Sequence, residues 1–235
     1  MKQSQKSVLT VLGTFAAIII VVAGYGRVAF SKLDITELSQ QDKVFIAEDL
    51  TNFSSIKASG TWQVELVQSD TWAVETNSLD DIKGKVSITV EDNVLVLKQR
   101  GSGFWFDWND DDLIAKVTMP TLTDLDLSGA ADIQISGFSG EKLTIDVSGA
   151  AELDADNSQY EELLLDSSGA AEVDFKGMLV TDATVEISGA ADLTLTMNGG
   201  ELTGSIFGAG DIQYYGTVSK ESIEVSGAGD ISHKK

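Results

Sequence analysis

Residues 123–235 alternate apolar and polar positions on a fixed period. SGAAD begins at Ser128, SGAAE at Ser148 and at Ser168, SGAAD at Ser188, FGAGD at Phe207 and SGAGD at Ser226. The corner glycines are Gly129, Gly149, Gly169, Gly189, Gly208 and Gly227. Their interval is about 20 residues and shortens by one after Gly189, a regularity that marks a solenoid. Two residues before each corner stand Leu127, Val147, Ser167, Ile187, Ile206 and Val225. Four after it stand Ile133, Leu153, Val173, Leu193, Ile212 and Ile231. The positions four before and six after are apolar in most copies too. A period of two marks strands with one buried face. Two short strands and two turns in each repeat of about 20 residues make one coil of a parallel β-helix, in which equivalent positions stack into columns. The corner is expected to be small because the chain bends sharply there and Gly can adopt positive φ.

The preceding half is less regular. Ile56, Ala58, Gly60, Val64 and Leu66 fit the repeat frame as one degenerate coil, with Trp62 and Gln63 replacing the second small residue and the acid. Alternating runs follow at residues 72–76, 86–90, 94–98 and 113–119, with Asp92-Asn93 placed as a hairpin turn. Residues 44–122 are therefore read as an irregular first half that caps the solenoid, and 123–235 as its regular repeats.

Residues 7–26, SVLTVLGTFAAIIIVVAGYG, are uncharged and long enough to cross a bilayer. Two export readings fit them. One is an uncleaved single-span anchor within residues 1–30, which the length favours. The other is a signal segment that is cleaved, which would leave the protein secreted. Residues 31–43 read as a polar tether. The expected architecture is thus all-β, a single parallel β-helix preceded by one N-terminal transmembrane helix. Its expected place is the inner membrane, with the β-helix exported.

Charge sharpens this picture. The 235 residues carry 37 Asp+Glu against 16 Lys+Arg, a net charge of −21. Residues 1–32 hold four basic residues and no acid, so the remainder holds 12 basic and 37 acidic residues, a net of −25. That excludes nucleic acid as a partner. The chain has no Cys, hence no disulfide, thiolate site or acylated cysteine, and its one histidine is His233.

Much of the acid falls in two columns. Asp132, Glu152, Glu172, Asp192, Asp211 and Asp230 lie three residues after the corners. Asp126, Asp146, Asp166, Glu186, Ser205 and Glu224 lie three before them. Stacked carboxylates about 4.8 Å apart repel by about 0.9 kcal/mol per pair even at the dielectric of water. Two things can offset this. A carboxylate just after a tight corner can accept backbone N–H groups. Alternatively Ca²⁺ can sit between rungs, with Asp132, Glu152, Glu172, Asp192, Asp211 and Asp230 as its ligands.

A second cluster is residues 104–112, FWFDWNDDD, flanked by Gly101 and Gly103. It reads as a contact loop, with Trp105, Asp107, Trp108 and Asp110 meeting a protein or glycan partner, or as a cap hairpin burying its aromatics. It lacks the Gly and Glu of an EF-hand loop. The serine column (Ser128, Ser148, Ser168, Ser188, Ser226) has no base beside it, and no carboxylate pair stands apart from the rest, so no catalytic residue is assigned.

FSSIKASGTWQVELVQ, then VSITVEDNVLVLKQ, then the step from Met119-Pro120 through Leu122 into LDLSGAADIQISG, followed by repeated SGAGDI-like corners, resemble the bacterial GIN-domain family, described as auto-transporter adhesin heads. The resemblance covers roughly residues 44–233. It implies an exported, all-β domain at the cell envelope and carries no catalytic residues over. With no length left for a C-terminal membrane barrel, anchoring is expected to fall to the N-terminal span. The expectation is a non-catalytic, membrane-tethered adhesin-like or scaffold domain. A calcium-dependent carbohydrate-binding module is the alternative, and a polysaccharide-active enzyme a more distant one.

Overall fold

The alternation becomes strands. In the computed structural model the described residues are 44–46, 50–77, 86–99 and 113–235. They belong to one compact unit, Asp42–Lys235. The fold they make is an all-β solenoid of about six turns. No helix among them is long and apolar enough to cross a membrane. Residues 7–26 and the tether at 31–43 lie outside the described residues.

Each turn crosses one sheet, bends at the small-residue corner, and crosses a second. In spatial order the pre-corner sheet is β5 (Val86–Glu91), β6 (Val94–Gln99), β2 (Ser55–Ser59) and β8 (Asp124–Leu127). It continues through the later parts of β10 (Ser139–Val147), β12 (Ser158–Ser167) and β13 (Ala170–Ile187) to β15 (Glu201–Ile206) and β17 (Lys220–Val225). The post-corner sheet is β1 (Val44–Ile46), β4 (Ala73–Asn77), β7 (Leu113–Met119), β3 (Thr61–Gln68) and β9 (Ala130–Ser136). It continues through β11 (Ala150–Asp156) and the first part of β13 to β14 (Ala190–Asn198), β16 (Ala209–Thr217) and β18 (Ala228–His233). From β8 onward every pairing is parallel.

The predicted columns are the core. Leu153, Ile145, Ile133 and Leu193 are essentially inaccessible to solvent, and the alternate residues face out. Each such side chain contributes about 1.5–3 kcal/mol by leaving water. Aromatics in and against the core satisfy their polar atoms. Trp72 Nε1 donates to the Phe53 carbonyl at 2.8 Å, and Tyr160 Oη to the Leu122 carbonyl at 2.9 Å. One interior column carries a misfit: Ser167 lies between Val147 and Ile187, is fully buried, and its Oγ has no hydrogen-bond partner.

The corners are tight for a different reason from the one expected. The six corner glycines do not have positive φ. A Cβ at Gly149 would instead overlap the Gly129 carbonyl oxygen on the rung beside it, and the same collision recurs at each corner from Gly129 to Gly227. Stacking of bare backbone on bare backbone, not left-handed geometry, selects Gly there.

The first half also differs in its order. The coil made by β2 and β3 does not end the stack. β2 pairs with β6 on one side and β8 on the other, and β3 likewise lies between β7 and β9. The chain lays one coil, steps outward to lay the next, and crosses back through Pro120–Thr123 to begin the repeats. A continuous backbone ladder records the crossing: Ser54 N donates to Asn93 O, Thr123 N to Ser54 O, and Thr144 N to Thr123 O, at 3.0, 2.8 and 2.9 Å. The outer end is closed by antiparallel strands, β5 on β6 and β4 with β1 on β7. The β5–β6 hairpin turns at Asp92 and Asn93, with φ of 49° and 66°, the two positive values a type I′ turn requires.

Candidate binding face

The corner-and-strand geometry places the acids. The column three residues after the corners is continuous in the structure. Gln63 pairs with Asp132, Asp132 with Glu152, Glu152 with Glu172, Glu172 with Asp192, and Asp211 with Asp230. Between Asp192 and Asp211 the link is a hydrogen bond: Asp211 N donates to Asp192 Oδ1 at 3.2 Å, and Asp230 N to Asp211 Oδ1 at 3.0 Å. Those two carboxylates thus take the backbone-acceptor role. It appears in the last coils, where the repeat is shorter by one residue.

Period two puts a second outward column beside the first. Asp154 pairs with Asp174 and lies two residues along from Glu152 and Glu172. Glu152, Asp154, Glu172 and Asp174 therefore occupy two rungs of one sheet face. Sequence reasoning passed over Asp154 and Asp174, although stepping two residues on from the corner acids would have found them.

The pre-corner column runs Lys57, Asp126, Asp146, Asp166, Glu186, Ser205 and Glu224. Here opposite charge and hydroxyls intervene. The Lys57 ammonium is paired with the Asp126 carboxylate, and Ser205 Oγ donates to Glu186. Among the described residues, three further ion pairs lie away from the post-corner carboxylates of β11 and β13: Lys116–Glu65 at 3.5 Å, Lys142–Glu162 at 3.4 Å and Lys220–Glu201 at 3.0 Å. Exposed pairs of this kind contribute at most about 1 kcal/mol each.

Crowding shows in the acid strengths. Burial against the sheet, then the charges of Asp132, Glu172 and Asp154, holds the Glu152 carboxyl above its ordinary range. Burial, then Asp192 and Asp174, does the same to Glu172. Asp154 is raised by burial and then chiefly by Asp174. Asp146 is raised by burial and its stacked neighbours, against a lowering by Lys57. In Asp192 burial outweighs the lowering by its bond from Asp211 N. These groups give up part of their hydration and face like charge, which disfavours the ionised form.

The face is a ladder, not a cage. Among the described residues no group of three or more His, Cys, Asp or Glu side chains is gathered as metal ligands. Trp105, Asp107, Trp108 and Asp110 lie outside the described residues.

A family model described as "Putative auto-transporter adhesin, head GIN domain" matches residues 52–179 and again 164–235. The chain belongs to the GIN-domain family. The two matched segments together span both the out-of-order coil and the regular repeats. Among solved structures, one described as a putative adhesin from Bacteroides fragilis superposes on the GIN-domain chain with a TM-score of 0.63 at 18% identity, covering 82% of this chain and 97% of the other. That likeness is one of fold. A putative adhesin from Parabacteroides merdae has a TM-score of 0.44 at 18% identity, covering 82% and 95% of the two chains. A protein from Parabacteroides distasonis described as a putative lipid binding protein has the same score at 13% identity, covering 84% and 98%. At that score neither bears on function. No curated protein matches the chain.

Proposed function

We propose that this GIN-domain chain is a non-catalytic, adhesin-like binding domain of the bacterial envelope, exported and held at the membrane by residues 7–26, whose post-corner sheet is the contact face. Family membership supports the adhesin-like role at a coarse level. The observation that carries the choice of face is the block of Glu152, Asp154, Glu172 and Asp174 on two adjacent rungs. A solenoid holds such a block rigidly, so a partner pays little ordering cost on the domain's side. Its charge selects a protein or glycan partner bearing positive groups.

The test uses the full chain in detergent micelles and an immobilised oligolysine peptide as probe. Glu152→Gln/Asp154→Asn/Glu172→Gln/Asp174→Asn should weaken capture by about ten-fold or more, while Glu201→Gln/Glu162→Gln leaves it near wild type. Equal capture by both variants would contradict the assignment.

The calcium-dependent carbohydrate reading rests on the column from Asp132 to Asp230. Its signature is a melting temperature that rises with Ca²⁺ beyond the rise in Na⁺ of matched ionic strength. A ladder relieved by backbone hydrogen bonds and screening responds equally to both.

A further inference from the structure

The interior columns change character at the last coil. Six residues before the corner the column runs Leu143, Leu163, Ala183, Leu202 and then Glu221. Six residues after it, Phe175, Leu195 and Tyr214 lead to His233. An acid and an imidazole thus take inward positions that are apolar on the rungs below.

Both are exposed at this end of the stack, and their polar atoms have partners. Tyr214 is 5% exposed and donates its Oη hydrogen to Glu221 Oε2 at 2.6 Å. The His233 ring lies flat on the Tyr214 ring, with centroids 4.7 Å apart and planes 5° from parallel. His233 Nε2 stands 2.8 Å from the Gly216 carbonyl oxygen, so it carries the proton and donates. The Glu221 carboxylate pushes the Tyr214 hydroxyl up to about 12, so Tyr214 stays a donor throughout the neutral range.

The same coil has the features that invite addition of another chain. Among the described residues β17 and β18 have strand partners on one side only, β15 and β16. Val225 is 40% exposed, and Ile223 and Ile231 are only partly covered. A second copy could lay its own terminal coil against this edge, strand to strand. Doing so would strip water from the exposed Glu221 carboxyl and His233 ring of both copies without supplying new partners, which is unfavourable.

We propose that Glu221, Tyr214 and His233 form an end plug. The trio satisfies its own polar atoms, covers the end of the core, and denies the open edge to a second copy of this chain.

The test compares sedimentation velocity of the full chain in detergent micelles, wild type against Glu221→Leu/His233→Leu, over about a hundred-fold range of concentration. Reading variant against wild type at each concentration cancels association through other segments. The plug predicts that the double variant shifts toward dimer as concentration rises, while Glu221→Gln, which keeps the bond from Tyr214, sediments as wild type. If the double change unfolds the chain, Glu221→Leu alone restores the residue of Leu143, Leu163 and Leu202 and is read in the same way. A folded leucine variant that sediments as wild type throughout overturns the proposal, as does a glutamine variant that associates as strongly as the leucine one.

Discussion

Residues 124–233 and residues 50–119 build the same solenoid by different routes. In the repeats each coil pairs with the coil that follows it in the chain, so neighbouring rungs are one repeat apart in sequence. In the first half β2 reaches past β3, β4 and β5 to meet β6, and past β7 to meet β8. The buried columns run through both, as when Ile56 pairs with Leu95 on one side and Leu125 on the other. The difference lies in what holds the register. Repeats set it by translation, with a glycine corner recurring at every rung. The first half sets it by pairing strands far apart in sequence and by packing Trp62 and Phe53 into the core and Trp72 against it, at a greater entropic cost of closure. The lesson is that columns are a property of the stack, whereas chain order is not.

The largest expected effect probes the corners. Gly149→Ala puts a methyl into the Gly129 carbonyl and should cost about 4 kcal/mol or more, or prevent folding. Gly137→Ala is the contrast. Its φ is +81° but its nearest obstacle is 3.6 Å away, so only backbone strain of about 1–2 kcal/mol applies. Circular dichroism melts separate the two. Comparable losses would show that the corner is not a steric lock.

Next comes the unity of the two halves. Leu66→Ala in β3 and Leu153→Ala in β11 each empty a fully buried site and should cost about 2–5 kcal/mol. Each should lower one shared unfolding transition. A melt that splits in two, with one half unaffected, would break the comparison into separate folding units.

A smaller gain is expected inside the repeats. Ser167→Val removes an unpartnered buried hydroxyl and matches Val147 beside it, and should stabilise by about 1 kcal/mol in chemical denaturation. Loss of stability would mean the hydroxyl has a structural use.

The smallest effect concerns charge, which the repeats concentrate. Asp146, Glu152, Asp154, Glu172 and Asp192 all have raised pKa values in the folded state. The folded chain therefore binds more protons than the unfolded one just above the ordinary carboxylate range. Their stabilising effect is full below the unfolded pKa values and is lost as pH rises through the folded ones. The melting temperature should thus be higher at about pH 5 than at about pH 7, and neutralising Glu152 and Glu172 to Gln should flatten the difference. A melting temperature that falls on this mild acidification would contradict the strained-ladder account.

The repeat half was readable because its period of two and its period of about 20 are both local signals. They located the buried columns and the acid ladder. What they did not disclose is set by contacts between rungs. The stacking of β2 between β6 and β8 depends on chain crossings that leave no periodic trace. The reason for the corner glycines lay in the next rung's carbonyl, which a single repeat does not contain. Asp192 and Asp211 accept backbone N–H groups, from the next rung rather than from their own turn, while Glu152 and Glu172 are acted on first by burial and then by like charge.

One uninterrupted stack carries the ladder, with the first coil lying second in it. The chain has no Cys, so engineered pairs report cleanly. Lys57 is the Cα partner of both Val96 and Asp126, and strand neighbours lie within disulfide reach. Lys57→Cys/Val96→Cys and Lys57→Cys/Asp126→Cys should each form an intramolecular disulfide under mild oxidation, detected by mass after proteolysis. Closure of the first pair without the second would place the coil of β2 and β3 at an end of the stack and contradict the account.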